Sequence, residues 1–388
     1  MNAFIKVLLL GFLVLCCNLT IKAEPLKTIS SSEKKIKIIN LYELEKEAAE
    51  KLSIGALGYV KGGSEDEITL RDNTESFNRK NIIPNGLTGL NEVALKTKLF
   101  GIDLASPIIL APMAAHGLVH QEADKDTIKG TRKAGTIMSI STYSSVPIEK
   151  IAESAPNAPF FFQLYMSKDN NFNEYIIKKA KKAGAKAIIL TIDSGVPGNR
   201  EADIRNNYEY SVKTPNVTEF YAGKTVTQSE ARAMRKLGFS AEDISYIKKI
   251  SGLPVIVKGI ESPEAAKIAI DARADGIWVS NHGGRQLDGA PSTFNMLPHI
   301  AKVVQKRVPI IFDSGVRRGS HVFKALANGA DIVAIGRPAL YGLALGGADG
   351  VYSVFQHLNE ELETVMILAG TENVEAVKNN HLFDPNKP

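Results

Sequence analysis

PFFFQLYMSKDNNFNEYIIKKAKKAGAKAIILTID (159–193) reads as a complete strand–helix–strand unit. It opens on the apolar run PFFFQLY (159–165), passes through the amphipathic pattern NFNEYIIKKAKKAG (171–184) and closes on AKAIILTID (185–193). Neither run alternates apolar and polar residues, which is the pattern of a parallel strand covered on both faces. The same kind of run recurs on both sides, at PIILAPM (107–113), GTIMSIS (135–141), LPVIVKG (253–259), GIWVSN (276–281), VPIIFDSG (308–315) and ADIVAIGR (330–337). A second amphipathic pattern, SPEAAKIAIDARADG (262–276), separates two of them. Eight such units in succession predict an α/β chain folded as a (β/α)8 TIM barrel. An open doubly wound sheet is the alternative for this rhythm.

Three segments fall outside the repeat. Residues 38–80 read as an N-terminal helical extension, two helices around the glycine-containing turn LGYVKGG (57–63). Residues 90–106 alternate apolar and polar positions, as in a hairpin that plugs the barrel bottom. The span of about 194–240, after the fourth barrel strand, is polar and poorly periodic; a barrel loop of that length reads as a lid or binding loop. The barrel domain as a whole is expected over 38–388.

The N-terminus is different in kind. Val7 to Ile21 (VLLLGFLVLCCNLTI) is apolar and uncharged, preceded by Lys6 and followed by Lys22-Ala23-Glu24. A basic start, a short apolar core and a small residue at a cut site predict a secretory signal over 1–23, with an uncleaved membrane anchor as the alternative. The expectation is therefore export to a periplasmic or secreted location. Both cysteines, Cys16 and Cys17, lie inside this run. The mature chain would then hold no disulfide, no thiolate metal site and no cysteine nucleophile, and no metal is expected. The composition, 44% hydrophobic and 23% charged, excludes collagen-like, disordered and polytopic membrane classes. A net charge of +5, spread along the chain, gives no reason to expect nucleic acid as a partner.

Chemistry in such barrels gathers where the strands end. Those ends are unusually polar here: Met113-Ala114, Ser141-Thr142-Tyr143, Gln163-Leu164-Tyr165, Thr191-Ile192-Asp193, Lys258, Ser280-Asn281-His282, Asp313-Ser314-Gly315 and Gly336-Arg337. Buried polar groups need partners, so this concentration describes a pocket. At the last two ends, Gly315 and Gly336 admit close backbone approach and Arg317 and Arg337 supply charge, which suits a phosphate. In SNHGGRQLDG (280–289), His282 has the near-neutral pKa a general base needs, and Asp193 could orient it. Arg285 and Arg200 (in GNREAD, 198–203) could clamp a carboxylate. Lys258 in VIVKG must face an anion, as a Schiff-base nucleophile or as a fixed charge beside an electron-rich cofactor.

These residues resemble the FMN-dependent L-2-hydroxy-acid oxidases and dehydrogenases from about residue 38 to 385, with SNHGGRQLD as the most specific string. APMAAHG (111–117), GTIMSISTYS (135–144), SGVPGNREADIRN (194–206) and FDSGVRRG (312–319) are most similar to the lactate-oxidising branch. The resemblance implies FMN as cofactor, a small L-2-hydroxy acid as substrate (L-lactate foremost) and O2, or a quinone or other acceptor, as electron sink. It implies His282 as catalytic base paired with Asp193, and Arg200, Arg285, Tyr59 and Tyr165 around the substrate carboxylate and hydroxyl. Tyr143 would line the substrate pocket and Tyr210 would reach it from the lid. Met113, Ala114, Ser141, Gln163, Thr191, Lys258 and Ser280 would contact the flavin ring and its side chain; Asp313, Gly315, Arg317, Gly336 and Arg337 would hold the ribityl phosphate. A homotetramer is the oligomer the family suggests. A barrel doing isomerisation or nucleotide oxidation, or a non-catalytic phosphate-binding barrel, are the readings that compete; nucleotide oxidation would need a cysteine the barrel lacks.

Overall fold

The structure, a computed structural model, describes residues 36–208, 212–221, 230 and 234–386. The segment expected to be a secretory signal, and Tyr210, lie outside the described residues. An antiparallel pair, β1 (Thr97–Leu99) and β2 (Ile102–Leu104), precedes a closed parallel barrel. The barrel strands are β3 (Ile108–Met113), β4 (Met138–Ser141), β5 (Phe160–Leu164), β6 (Ile188–Thr191), β7 (Val255–Ile260), β8 (Gly276–Val279), β9 (Ile310–Phe312) and β10 (Ile332–Ile335). Each pairs with the next, and β10 closes the ring by pairing Val333 with Ile108 of β3 while its other edge meets Phe312 of β9. The eight apolar runs are these eight strands in the same order, so the doubly wound alternative is excluded.

Strand burial explains the absence of alternation in sequence. Ile109, Ala111, Phe161, Ile189, Ile256, Trp278, Ile311 and Ala334 point inward and pack together, while Ile108, Leu110, Phe160, Phe162, Leu190 and Val333 face the helices. Both faces are dry, so both must be apolar. The helix Asn170–Lys182 shows the outer layer's logic: Asp169 accepts from the Asn171 N–H to cap it, and Phe172, Ile176, Ile177 and Ala180 form its buried stripe.

The hairpin plugs the barrel as expected. Leu99 and Leu104 belong to the inward cluster, and the Phe100 ring meets Phe161 edge-on at 6.0 Å. The N-terminal extension is richer than expected. It contains three α-helices, Leu41–Ala49, Ile54–Lys61 and Ile68–Glu75, and a 3-10 turn at Ser76–Arg79. LGYVKGG is thus mostly helix rather than turn, because only Gly62 and Gly63 break it and Ser53 caps its start. The span 194–240 carries the short helices Glu201–Arg205 and Pro215–Thr218. The helix Arg337–Ala369 leaves β10 and bends at Gly346 and Gly347, whose backbone angles are non-helical. No helix among the described residues is long and apolar enough to cross a membrane.

Candidate active site

The barrel mouth collects the polar strand ends. Beyond β6, Asp193 is buried; beyond β8, the chain turns sharply through His282, Gly283 and Gly284, at φ 57°, 70° and 72°. A histidine in the left-handed region costs about 1–3 kcal/mol and persists only where its surroundings over-determine it. Here they do: Ser280 Oγ accepts from the His282 N–H, Ser314 Oγ from Gly283 and Asn281 Oδ1 from Gly284. Asn281 is itself paired with Asn73 of the N-terminal extension, at 2.9 and 2.7 Å in the two directions.

This turn delivers the imidazole between two partners. His282 Nδ1 is 2.9 Å from Asp193 Oδ1, and Nε2 is 3.3 Å from the Tyr165 hydroxyl at the end of β5. Burial pushes the His282 pKa below its ordinary value; Asp193 opposes that, and Lys258 and Arg285 reinforce it. Burial resists ionisation of Asp193, but His282 and Lys258 outweigh it and hold the carboxyl below its ordinary range. The pair therefore rests as neutral imidazole beside carboxylate, with Nε2 free to take a proton and Nδ1–H fixed by Asp193.

Tyr59 is the meeting point of the two arginines. The Arg285 guanidinium lies 5.0 Å from its ring centroid and that of Arg200 5.8 Å. Arg285 is tethered by donating to the carbonyls of Tyr59 and Gly62. Burial, then the nearby charge of Arg200, pushes Arg285 down to about 9, although Asp203, 3.8 Å from Arg200, partly offsets the crowding of the two cations. Arg200 Nε and the second Asp193 oxygen are buried without a hydrogen-bond partner. Tyr208 packs beside Tyr59, ring centroids 5.4 Å apart and planes tilted by 41°, and among the described residues its buried hydroxyl is equally unpartnered. A small anion with a hydroxyl would satisfy such groups.

A second polar set adjoins the first, sharing Ser280 Oγ, which accepts from both the His282 N–H and Lys258 Nζ. Ser141 Oγ donates to Gln163 Oε1 at 3.1 Å, and Gln163 Nε2 to Thr191 Oγ1 at 3.0 Å, a row across β4, β5 and β6. Lys258 Nζ donates to Ser280 Oγ at 2.7 Å and lies 3.5 Å from Asp313. Burial opposes its charge, but Asp313 and Asp193 more than compensate, so the ammonium is fixed. Asp313 also accepts from Trp278 Nε1 and from Ser314 Oγ. At the β9 and β10 ends, Gly315 takes φ 84° and passes so close to the Asn73 carbonyl that a Cβ would lie 2.2 Å from it. Met113 borders Gly336. Among the described residues, the Arg317 guanidinium makes one donation, to the Val316 carbonyl. Arg337 spends three N–H groups on the carbonyls of Val60, Gly62 and Gly283, so it ties the extension to the barrel rim as well as supplying charge.

The sequence-derived residues thus converge on one mouth, apart from Tyr210. Sequence reasoning missed Arg235, Tyr208, Asn73 and Trp278. Arg235 donates to the Tyr143 hydroxyl and the Ser194 carbonyl and lies over the Tyr165 ring at 4.3 Å. It sits in the stretch with least periodicity, which left no signal; Tyr208 stands two residues before Tyr210, which lies outside the described residues.

A hydrogen-bonding row, a fixed ammonium and a glycine-bordered corner bearing Arg317 and Arg337 are what a phosphorylated flavin requires. The chain belongs to the FMN-dependent dehydrogenase family, which it matches over residues 48–384, and FMN is its cofactor. It is 52% identical over 359 residues to an L-lactate oxidase of Lentilactobacillus hilgardii, covering 92% of this chain and 97% of that protein. It is 47% identical to an L-lactate oxidase of Streptococcus iniae, covering 90% and 87%. Among solved structures, lactate oxidase of Pediococcus acidilactici superposes with a TM-score of 0.88 at 53% identity, covering 92% of this chain and 98% of that one. A mandelate oxidase, 34% identical, superposes at 0.82 over 89% of this chain and 99% of that one.

Proposed function

We propose that the chain oxidises L-lactate to pyruvate and passes both electrons to O2, so that one lactate and one O2 give one pyruvate and one H2O2. The observation that carries this is the neutral His282 imidazole held by Asp193 and 3.3 Å from the Tyr165 hydroxyl, beside two arginines that crowd one another with Asp203, 3.8 Å from Arg200, as their nearby carboxylate. Support for lactate over bulkier hydroxy acids comes from the relatives: identity is higher to the L-lactate oxidases than to the mandelate oxidase.

FMN, when bound, supplies the two-electron acceptor that O2 reoxidises. Arg285 and Arg200 hold the substrate carboxylate, with Tyr59 between them. Tyr165 donates to the substrate hydroxyl oxygen; His282 Nε2 takes the hydroxyl proton as the C=O bond forms, and the Cα hydrogen leaves with its bonding electron pair, the two electrons the cofactor would accept. Asp193 stabilises the resulting imidazolium and keeps Nδ1–H in place. Lys258, a fixed positive charge, would help to hold the flavin and would favour the negative charge that reduction adds to it. Residues 1–23 direct export on this proposal; mass determination of the N-terminus after secretion checks it, with a new terminus after Ala23 expected.

The test is a flavin spectrum of the purified holoenzyme before and after anaerobic L-lactate, followed by air. Bleaching and rapid recolouring with equimolar peroxide is the expected result. Slow recolouring would replace O2 by another acceptor, and no bleaching would replace the substrate.

A further inference from the structure

Arg235 occupies a position that neither the general base nor the carboxylate clamp explains. Its backbone is pinned beside the continuation of β5: it bridges to Ser167, while the Lys168 N–H donates to the Met234 carbonyl and the Lys236 N–H to that of Met166. From there its guanidinium reaches over the stacked rings of Tyr143 and Tyr165, which lie 5.2 Å apart. It sits 5.1 Å from the Tyr143 centroid and 4.3 Å from that of Tyr165. Its hydrogen bonds go to Ser194 O at 2.9 Å and the Tyr143 hydroxyl at 3.4 Å. Among the described residues, the groups that bear on its charge are tyrosines rather than carboxylates. A buried cation that meets, among the described residues, aromatic faces, a phenol hydroxyl and a carbonyl retains most of its field for whatever anion enters the pocket.

We propose that Arg235 is a positioning residue of the hydroxy-acid site, whose charge strengthens the Tyr165 hydroxyl as a donor and adds to the retention of the substrate carboxylate. This rests on the reading of the barrel mouth as a hydroxy-acid site. The geometry links it directly to the base: Arg235 lies on the Tyr165 face, and the Tyr165 hydroxyl lies 3.3 Å from His282 Nε2. Burial pushes the Tyr165 phenol up, and Arg235 is the foremost influence pulling it back. A cation against the ring withdraws electron density from the oxygen and makes its proton a better donor. The effect belongs to charge and not to shape, which separates it from simple packing.

The experiment compares Arg235→Lys, which keeps the charge, with Arg235→Gln and Arg235→Met, which lose it; Met keeps an apolar stem should the Gln variant fail to fold. Oxalate is titrated into the resting, FMN-loaded enzyme and followed by the flavin spectrum, and KM and kcat for L-lactate are measured in parallel. The neutral variants are expected to weaken oxalate binding and raise KM by about tenfold, with kcat changed less, as loss of one desolvated cation contact implies. Arg235→Lys is expected to stay within about threefold of wild type. If Lys binds oxalate no more tightly than the neutral variants, at matched flavin content, the proposal is overturned. A wild type that binds oxalate but does not oxidise L-lactate would overturn the proposed function instead, and the oxalate comparison would still decide the role of Arg235.

Discussion

His282 Nδ1 and Asp193 Oδ1 are 2.9 Å apart although 89 residues separate them in the chain, because the ends of β6 and β8 share one barrel mouth. The contact fixes which imidazole nitrogen carries the resting proton. His282→Gln keeps a hydrogen-bonding side chain but removes the base. FMN content should stay near that of wild type while kcat falls by roughly 10²–10⁴-fold, the usual worth of a positioned general base. Asp193→Asn should lower kcat less and move the acid limb of kcat/KM to lower pH, because the imidazolium loses its counter-charge. Near-normal turnover in the Gln variant would remove His282 from its role.

Lys258 and Asp313 form the other coupled pair, 3.5 Å apart and buried. Lys258→Met leaves the Asp313 carboxylate with Trp278 and Ser314 but without its cation. Breaking a buried pair from one side costs about 3–5 kcal/mol, so a lower melting temperature is expected. FMN affinity should drop with it. Because Lys258 also holds the His282 pKa down, the acid limb of any residual activity should move to higher pH. A pH–rate profile on protein saturated with FMN checks the sign.

Much of this arrangement was legible in the chain. Strands such as IIL (188–190) are buried on both faces, so their apolar runs announce a parallel barrel, and polar residues directly after them announce its mouth. His282, Lys258 and Gln163 were readable for that reason. Tyr59 came only through family likeness, since its helix, Ile54–Lys61, gives no local cue that it leans over the mouth. Arg235 and Tyr208 were not readable at all: they act from irregular backbone, where no periodicity ties a residue number to a direction. The third helix of the extension, Ile68–Glu75, was missed because it carries few apolar residues and its own N-cap, Glu67, does not cap it; the cap comes from Asp288, far along the chain, which accepts from the Ile68 and Thr69 N–H groups.

Gly259 shows how tightly the base pair is framed. It takes φ 96°, and a Cβ there would lie 2.7 Å from Asp193 Cβ and Cγ. Gly259→Ala must therefore strain its backbone and push Asp193 aside. Overpacking of this kind costs about 1–3 kcal/mol. The expected outcome is a lower melting temperature together with a kcat loss that tracks that of Asp193→Asn, with FMN still bound. A destabilised variant of unchanged kcat would show that Asp193 can retreat without releasing His282.

Glu261, the residue after β7, extends the same electrostatic system. Its carboxyl is pushed up to about 7, first by burial and then by the negative charges of Asp193 and Asp313, against the attraction of Lys258. An acid whose folded pKa lies above its unfolded value binds its proton more tightly when folded. Against a neutral side chain it costs the fold nothing below the unfolded pKa, where it is protonated in both states; stability is lost as pH rises through the interval up to about 7, and above that the full cost of holding the buried carboxylate remains. Glu261→Gln removes the group that must ionise. The variant and wild type should melt together near pH 4, and at about pH 8 the variant should melt higher by on the order of several degrees. Scanning fluorimetry at the two pH values measures this directly. If the difference had the opposite sign, with wild type the more stable at high pH, the Glu261 carboxylate would be a net partner of Lys258, and Asp193 would not be the charge it opposes.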